Sequence, residues 1–523
     1  MKTAIDFYSG IGGWTLGMKL SGIEHLNSFE WWDEANDTHN INFNTTNKEI
    51  DIRKLDIKRD LKFKKKIDFI VGSPPCTQFS LSNRGGSGDI KDGLVDIYKF
   101  LEVIDFLKPK YWAMENVPRV TSILENELNH GTLKKFKKLV KIITVVDSSE
   151  YGLPQSRKRM IAGDFPISLF ESYKTKISPK TLGDVLNSLN KKTVIDPNYG
   201  YKIDINTITE CENEPDLTPS ELRINRDSKE NHPIYNKMSF PDRIDRPSRT
   251  ITATCTRISR ESIIIKSNSG YRRLNVRERG VIQGFPVTYQ FYGKSITSKF
   301  KMIGNAIPPI LTYYLFQSML EIPLSKLKTP LNSFYTHKKP QKKSIENNFI
   351  SVNEKKYSKL RKFQFVIPGL RFGSGVRFEL SNSISNGIIN WSIKFVYGNS
   401  KNIYIIPLNN LTIKKTSNIF TQKQLKILEI HLKEFRENFN KINSEHLQNL
   451  WSDSKTEFEV FKIIDFIGKC IIDSSKVIEI PVEKALIILN EIIENPNKKI
   501  LNHVNLMIIG LYFLSKINKE IME

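Results

Sequence analysis

Lys2-Thr3-Ala4-Ile5-Asp6-Phe7-Tyr8 runs straight into Ser9-Gly10-Ile11-Gly12-Gly13, and an amphipathic stretch, Trp14–Ser21, follows. A short apolar segment, a glycine turn and a helical pattern in that order read as strand, turn, helix. Glycines at such a turn let the backbone come close to a ligand at a helix N-terminus. Glu30 lies 20 residues beyond Gly10, at the end of a second apolar segment, Ile23–Trp31. An acid there can accept hydrogen bonds from the ribose hydroxyls of a nucleoside cofactor. A purely structural turn with a solvent-facing Glu is the plain alternative.

The pattern repeats outward from this point. Ile67–Gly72 reads as a third strand and ends at Ser73-Pro74-Pro75-Cys76. Gly85–Gly93 is rich in Gly, Ser and Asp and reads as a loop, and Ile97–Leu107 has helical periodicity. Tyr111–Met114 is a further strand, ending at Glu115-Asn116-Val117-Pro118. Strands alternating with helices predict an α/β fold built on an open, mostly parallel sheet. Ligands bind such sheets at the carboxyl ends of the strands, where all of these motifs fall.

Composition narrows the function. The chain has 523 residues, 79 Lys plus Arg against 56 Asp plus Glu, and a net charge of +23. That excess suits a polyanionic partner such as nucleic acid. The many Ile, Asn and Lys fit an AT-rich genome, which accounts for part of the charge. Met1–Gly13 lacks the pattern of a secretory signal, and Val504–Leu514 is too short to span a bilayer, so no membrane role is expected. Cys76, Cys211, Cys255 and Cys470 are scattered, with no metal-ligand spacing. We therefore expect no metal and a cytoplasmic, nucleoid-associated protein.

Four blocks carry chemistry. Cys76 follows a strand and a stiff Pro-Pro pair, which presents a nucleophile at a turn. Glu115 at a strand end can hydrogen-bond or protonate a ring nitrogen. Gln155-Ser156-Arg157-Lys158-Arg159 places two arginines on one face of an extended segment, able to reach a carbonyl oxygen, a phosphate or a thiolate.

Glycine turn, Pro-Pro-Cys, Glu-Asn-Val and Gln-x-Arg-x-Arg, in this order, resemble the cytosine-5 DNA methyltransferase family. Arg272–Arg279 leading into Gln283-Gly284-Phe285-Pro286 looks like the family's motif IX, and Gly304-Asn305-Ala306-Ile307-Pro308-Pro309 like its motif X. The resemblance covers about residues 1–325. Three positions depart from the usual pattern: Tyr8 for Phe, Thr77 between Cys76 and Gln78, and Asn275 for Thr. None removes a group that the chemistry needs.

The resemblance implies a Rossmann-like sheet of the S-adenosylmethionine-dependent methyltransferases. It further implies that Cys76 attacks C6 of cytosine as a thiolate and that Glu115 holds the N3 edge. Arg159 would bind O2 and support Glu115, and Arg157 would sit nearer the thiolate or the target phosphate. The base would flip out of double-stranded DNA. Tyr8, Gly10, Gly12, Glu30, Trp31, Pro75, Leu94 and Asn305 would line the cofactor site, with Trp31 either against the adenine or in the core. The acid of the third motif is either Asp51, which looks right in local sequence, or Asp56, which has the better spacing to Cys76. Ser80 and Ser82 would line a loop that closes on DNA.

The domains expected are 1–165 for catalysis and cofactor binding (completed by 299–325), a small target recognition domain at 166–298, a basic linker at 326–360, and an additional α+β accessory domain at 361–523. In the recognition domain Arg249, Thr250, Thr252, Arg257 and Arg260 suit base edges and phosphates. Leu370–Phe378 reads as a plain β-turn. Glu354-Lys355-Lys356 fits a minimal nuclease motif but lies in a polar linker without an apolar strand, and is set aside. The leading function is the protective half of a bacterial restriction-modification system, with a cognate restriction endonuclease as functional partner. The alternatives are a tRNA cytosine methyltransferase, or a methyltransferase fused to a nuclease or complex-assembly module.

Overall fold

A computed structural model describes residues 1–79, 88–230, 238–330, 357–372, 376–397, 402–406, 410–440, 442–492 and 503–522. By contacts the chain forms two units, 1–216 with 239–348, and 217–238 with 349–523.

The first unit is built on a six-stranded sheet: β1 (Thr3–Phe7), β2 (Glu24–Phe29), β3 (Phe69–Gly72), β4 (Tyr111–Asn116), β5 (Ile142–Asp147) and β6 (Lys158–Asp164). The strand order is β2-β1-β3-β4-β6-β5. β1 pairs in parallel with β2 and β3, and β3 with β4. β6 runs antiparallel to both neighbours. Its first residues therefore lie at the same edge as the last residues of β3 and β4. The mostly parallel α/β sheet expected from sequence is present.

Both faces of the sheet are covered, as parallel sheets require. Ile5, Phe7, Ile70 and Met114 join one core with Phe100 and Trp112. Ala4, Phe69, Val71 and Ala113 join the other, with Trp14, Tyr314 and Phe316. Residues two apart share a face, so β3 reads as an unbroken apolar run with a different core on each side, and β1 does so apart from Thr3 and the buried Asp6. The helix Pro309–Met319 is buried on every side, in keeping with its uniformly apolar sequence. Its Thr312 donates to the Gly13 carbonyl at 2.9 Å. The helix after β3 starts at Ile90, earlier than expected, because Asp89 caps it by accepting from Lys91 N and Asp92 N.

Two short hairpins, Thr193–Ile195 with Lys202–Asp204 and Ile264–Lys266 with Tyr271–Arg273, lie in the 166–298 interval. Val194 and Ile265 of these hairpins join a further core that includes Leu182, Ile251, Phe285 and Tyr289.

The second unit has a four-stranded antiparallel sheet, Gln364–Arg371, Arg377–Ser385, Ile388–Tyr397 and Asn402–Ile405, paired in chain order. Helices Gln422–Asn438, Ser444–Ser452, Glu457–Val477 and Val504–Met522 share its core. Leu370 and Phe378 are core residues, and Phe372 N donates to Val376 O at 2.9 Å. The helix Pro219–Glu230 lies inside the 166–298 interval in sequence but belongs to this unit. Its Ile224 enters the core, and Arg223 makes two bonds to Asp465 at 2.7 and 2.6 Å. Most of the expected linker, and Glu354-Lys355-Lys356 within it, lies outside the described residues.

Candidate active site

Cys76 sits four residues beyond the end of β3 on a braced turn. Trp14 Nε1 donates to Ser73 Oγ at 3.0 Å, and Asn116 Nδ2 donates to the Pro74 carbonyl at 3.1 Å. Phe79 N donates to Cys76 O at 3.0 Å, and the Phe79 ring is fully buried. The Cys76 side chain is only partly covered. Burial pushes its thiol above the usual range, and Arg159 is the largest counteracting influence.

Glu115 is the penultimate residue of β4 and pairs with Ile161 of β6. Arg159 stands two residues before Ile161 on the same face, so the two side chains meet diagonally. Arg159 Nε donates to Glu115 Oε1 at 2.8 Å, with side-chain exposures of 12% and 7%. The thiol, the carboxylate and the guanidinium thus converge where β3 and β4 end and β6 begins. Of the two places considered for Arg157, it takes the one nearer the thiolate, whose charge it favours, and not the phosphate contact. It is 1% exposed, and its Nη groups donate to the carbonyls of Ile251, Gly304 and Ala306 at 2.9, 2.9 and 3.2 Å. It is a buried brace, and no face of it is open to a phosphate.

The other end of the sheet edge is organised around Glu30. Its carboxylate accepts from Gly10 N at 2.8 Å and from Trp31 N and Trp32 N, both at 2.9 Å. Burial pushes the Glu30 carboxyl above the usual range. Trp31 is 58% exposed and is therefore not a core aromatic. Gly10 and Gly12 have φ of 52° and 90°, and a Cβ on Gly12 would strike Phe43 at 2.3 Å. Tyr8 adopts φ 54°, and its hydroxyl donates to the Asp96 carbonyl at 3.2 Å, so the extra oxygen relative to Phe is satisfied. Leu94 is buried beside Tyr8 and Phe29, Pro75 is partly covered, and Asn305 is exposed. Asp51 and Asp56 each cap a short helical turn. Ile50 N donates to the Glu30 carbonyl at 2.8 Å, which places Asp51 one residue from the Glu30 edge.

The family model for C-5 cytosine-specific DNA methylase matches residues 2–321. The chain belongs to this family. It is similar to the Type II methyltransferase M.HindV of Haemophilus influenzae, 29% identical over 350 residues, which are 63% of this chain and 98% of that one. It is also similar to M1.HphI of Haemophilus parahaemolyticus, 27% identical over 349 residues, 61% of this chain and 87% of that one. Among solved structures the S. pombe Dnmt2 methyltransferase superposes with a TM-score of 0.44 at 17% identity, covering 61% of this chain and 99% of that one. The protein is a DNA cytosine-5 methyltransferase. The family match ends before the residues of the second unit's sheet.

Such methyltransferases use S-adenosylmethionine, and the Glu30 edge fits it. Ser9 Oγ is buried with no hydrogen-bond partner, no atom lies within 4 Å of a Cβ built on Gly10, and Trp31 offers an exposed aromatic ring.

The residues that the sequence suggested for DNA recognition in the methyltransferase are mostly engaged within the protein. Arg249 donates to both oxygens of Asp242, at 2.6 and 3.1 Å, and to Ser262 O at 3.0 Å. Arg257 donates to the carbonyls of Pro215 and Asp216 at 2.9 and 2.8 Å. Thr250 and Thr252 hydroxyls donate to Ser156 O and Thr254 O at 3.0 and 2.9 Å, and Arg260 pairs with Glu261 at 2.9 Å. The sequence suggested base edges and phosphates for these groups; in the structure they bond within the chain, Thr250 reaching outside the 166–298 interval to Ser156. Ser80 and Ser82 lie outside the described residues.

Sequence reasoning missed Gln155 and Gln283. Gln155 Nε2 donates to Gln283 Oε1 at 2.7 Å, and Gln155 Oε1 accepts from Ile251 N at 2.6 Å. Gln283 Nε2 reaches the Ala306 carbonyl at 2.5 Å, so three motifs are locked together. The repeated appearance of a Gln in two family motifs was the available signal. No metal was expected. In the second unit His431, Glu434 and Cys470 bring donor atoms within 4.8 Å of one another. Among the described residues no helix is long and apolar enough to cross a membrane.

Proposed function

We propose that the protein methylates C5 of cytosine within a specific double-stranded DNA sequence through a covalent Cys76 adduct on a flipped-out base. The convergence of Cys76, Glu115 and Arg159 where β3 and β4 end and β6 begins carries this reading.

C5 of cytosine is a poor nucleophile, and addition to C6 makes it a good one. In the proposed mechanism Cys76 gives up its proton and its Sγ bonds to C6. Glu115 faces the N3 and exocyclic-amine edge, with the proton held on Glu115 or on N3 as negative charge develops. Arg159 fixes Glu115 through its 2.8 Å bond and donates to O2. S-adenosylmethionine, when bound, supplies an electrophilic methyl group. Loss of the C5 proton then lets Sγ leave C6 and restores the aromatic ring. Gly10, Gly12, Glu30, Trp31 and Asn305 would hold the cofactor, at the turn where the buried Ser9 Oγ lacks a hydrogen-bond partner. Asp51 is the better placed acid of the two candidates, because its neighbour Ile50 is bonded to Glu30.

The base must leave the duplex to reach Cys76. The net charge of +23 supports nucleic-acid binding. Relatives named Type II methyltransferases support a protective role beside a restriction endonuclease in the bacterial cytoplasm. We further assign 166–216 with 239–298 to target recognition, 326–360 to a basic linker, and 361–523 with 217–238 to an accessory domain.

The test is transfer of labelled methyl groups from S-adenosylmethionine to unmethylated bacterial genomic DNA, with bulk tRNA as competitor. Label in DNA that Cys76→Ser abolishes is expected. Label in tRNA alone would replace this reading with the RNA one.

A further inference from the structure

Between the Cys76 turn and the Glu30 edge lies a polar network that neither site requires for chemistry. Arg53 follows Asp51 by two residues, on the turn whose Ile50 is bonded to Glu30. Its guanidinium forks onto Asp96, Nε to Oδ1 at 2.9 Å and Nη2 to Oδ2 at 2.6 Å. It also reaches Asp92, Nη1 to Oδ1 at 2.8 Å and Nη2 to the carbonyl at 3.0 Å. The second oxygen of Asp92 accepts from Gln78 Nε2 at 3.1 Å, and Gln78 Oε1 accepts from Asp89 N at 3.0 Å. Gln78 is two residues past Cys76. Asp96 also receives the Tyr8 hydroxyl at the glycine turn.

We infer that Arg53 is a positioning residue which, through the shared carboxylate of Asp92, couples the cofactor-side turn to Gln78 and so to the placement of Cys76. The inference rests on the methyltransferase reading above. Asp92 is not needed as a helix cap, since Asp89 already fills that place. It is held in its ionised form by Arg53 first and Gln78 second. One carboxylate gripped from two sides transmits a displacement of either grip to the other. Buried Ile52 and Phe79 anchor the two backbones in the same core, so each grip stands on fixed ground. Gln78 is displaced by one place from the family's usual position after the cysteine, and this displacement lets it bridge Asp89 and Asp92. Coupling between two sites is reciprocal in binding free energy. A change at Gln78 must then be felt by the cofactor, even without DNA.

The experiment uses the full chain and calorimetric titration of S-adenosylmethionine without DNA, for the wild type, Arg53→Met, Gln78→Leu and the double variant, with kcat on genomic DNA at saturating cofactor beside it. We expect each single variant to bind about fivefold or more weakly, and the double variant to lie within about twofold of the weaker single one. Arg53→Lys should not restore affinity, because a point charge cannot fork onto two acids. Cofactor affinity of Gln78→Leu within twofold of wild type would overturn the coupling, as would losses that multiply in the double variant. Gln78→Leu keeps the test decisive should Arg53→Met fail to fold. A wild-type chain that does not bind S-adenosylmethionine at all would instead sink the methyltransferase reading itself.

Discussion

Arg159 and Glu115 face each other across the β4–β6 ladder, Nε to Oε1 at 2.8 Å, with both side chains nearly buried. The antiparallel β6 makes this contact possible, since its first residues lie at the edge where β3 and β4 end. An ion pair so poorly solvated costs more to break than to keep. Glu115→Gln retains the shape but loses both the charge and the ability to hand over a proton. Methyl transfer should fall about 10²–10⁴-fold, the usual span for a general acid, with cofactor binding unchanged. Single-turnover rates and cofactor titration check the two halves separately.

The Cys76 thiol is pushed up by burial and pulled down chiefly by Arg159. The reactive form is the thiolate, so kcat/KM should rise with pH across the neutral to alkaline range. Removing Arg159 takes away a charge that favours the thiolate. The rising limb of the pH profile should therefore move to higher pH in Arg159→Met and stay closer to wild type in Arg159→Lys. A profile of unchanged position in Arg159→Met would show that the guanidinium does not act on the thiol.

Arg157 braces three backbone carbonyls from the interior. In Arg157→Met those of Ile251 and Gly304 lose this donor, while Ala306 keeps Gln283. Each buried carbonyl left without a donor costs about 1–3 kcal/mol, so for two a loss of about 2–6 kcal/mol is expected. Lys cannot reach the same three acceptors and should rescue little. Denaturant unfolding of the purified variants measures this directly.

Trp31 is 58% exposed and packs in no core, so Trp31→Ala should leave stability almost unchanged. Stacking on an aromatic is worth roughly 1 kcal/mol. Cofactor binding should therefore weaken about fivefold, with Trp31→Phe in between, as read by calorimetric titration.

The residues at the strand ends were legible because each follows a short apolar run. Gly10, Cys76 and Glu115 needed only local pattern and order along the chain. The contact between Glu115 and Arg159 needed the family resemblance, because strand direction is not written locally. What failed were polar groups whose partners are distant in sequence. Arg249 looked free for DNA, yet Asp242 and Ser262 hold it. Arg157 does act on the Cys76 thiol, yet its hydrogen-bond acceptors come from residues 251, 304 and 306. The helix Pro219–Glu230 carries few apolar residues, and nothing in it announces that Ile224 enters the core of the second unit.

The central claim is that Cys76 drives methylation of C5 in a defined DNA sequence. Base-resolution bisulfite sequencing of a methylation-free bacterial host tests it, with one culture expressing the protein and another its Cys76→Ser variant. The account predicts 5-methylcytosine at one short recurrent motif with the wild-type chain and none with the variant. Equal methylation in both cultures, or none in either with both proteins folded, would contradict it.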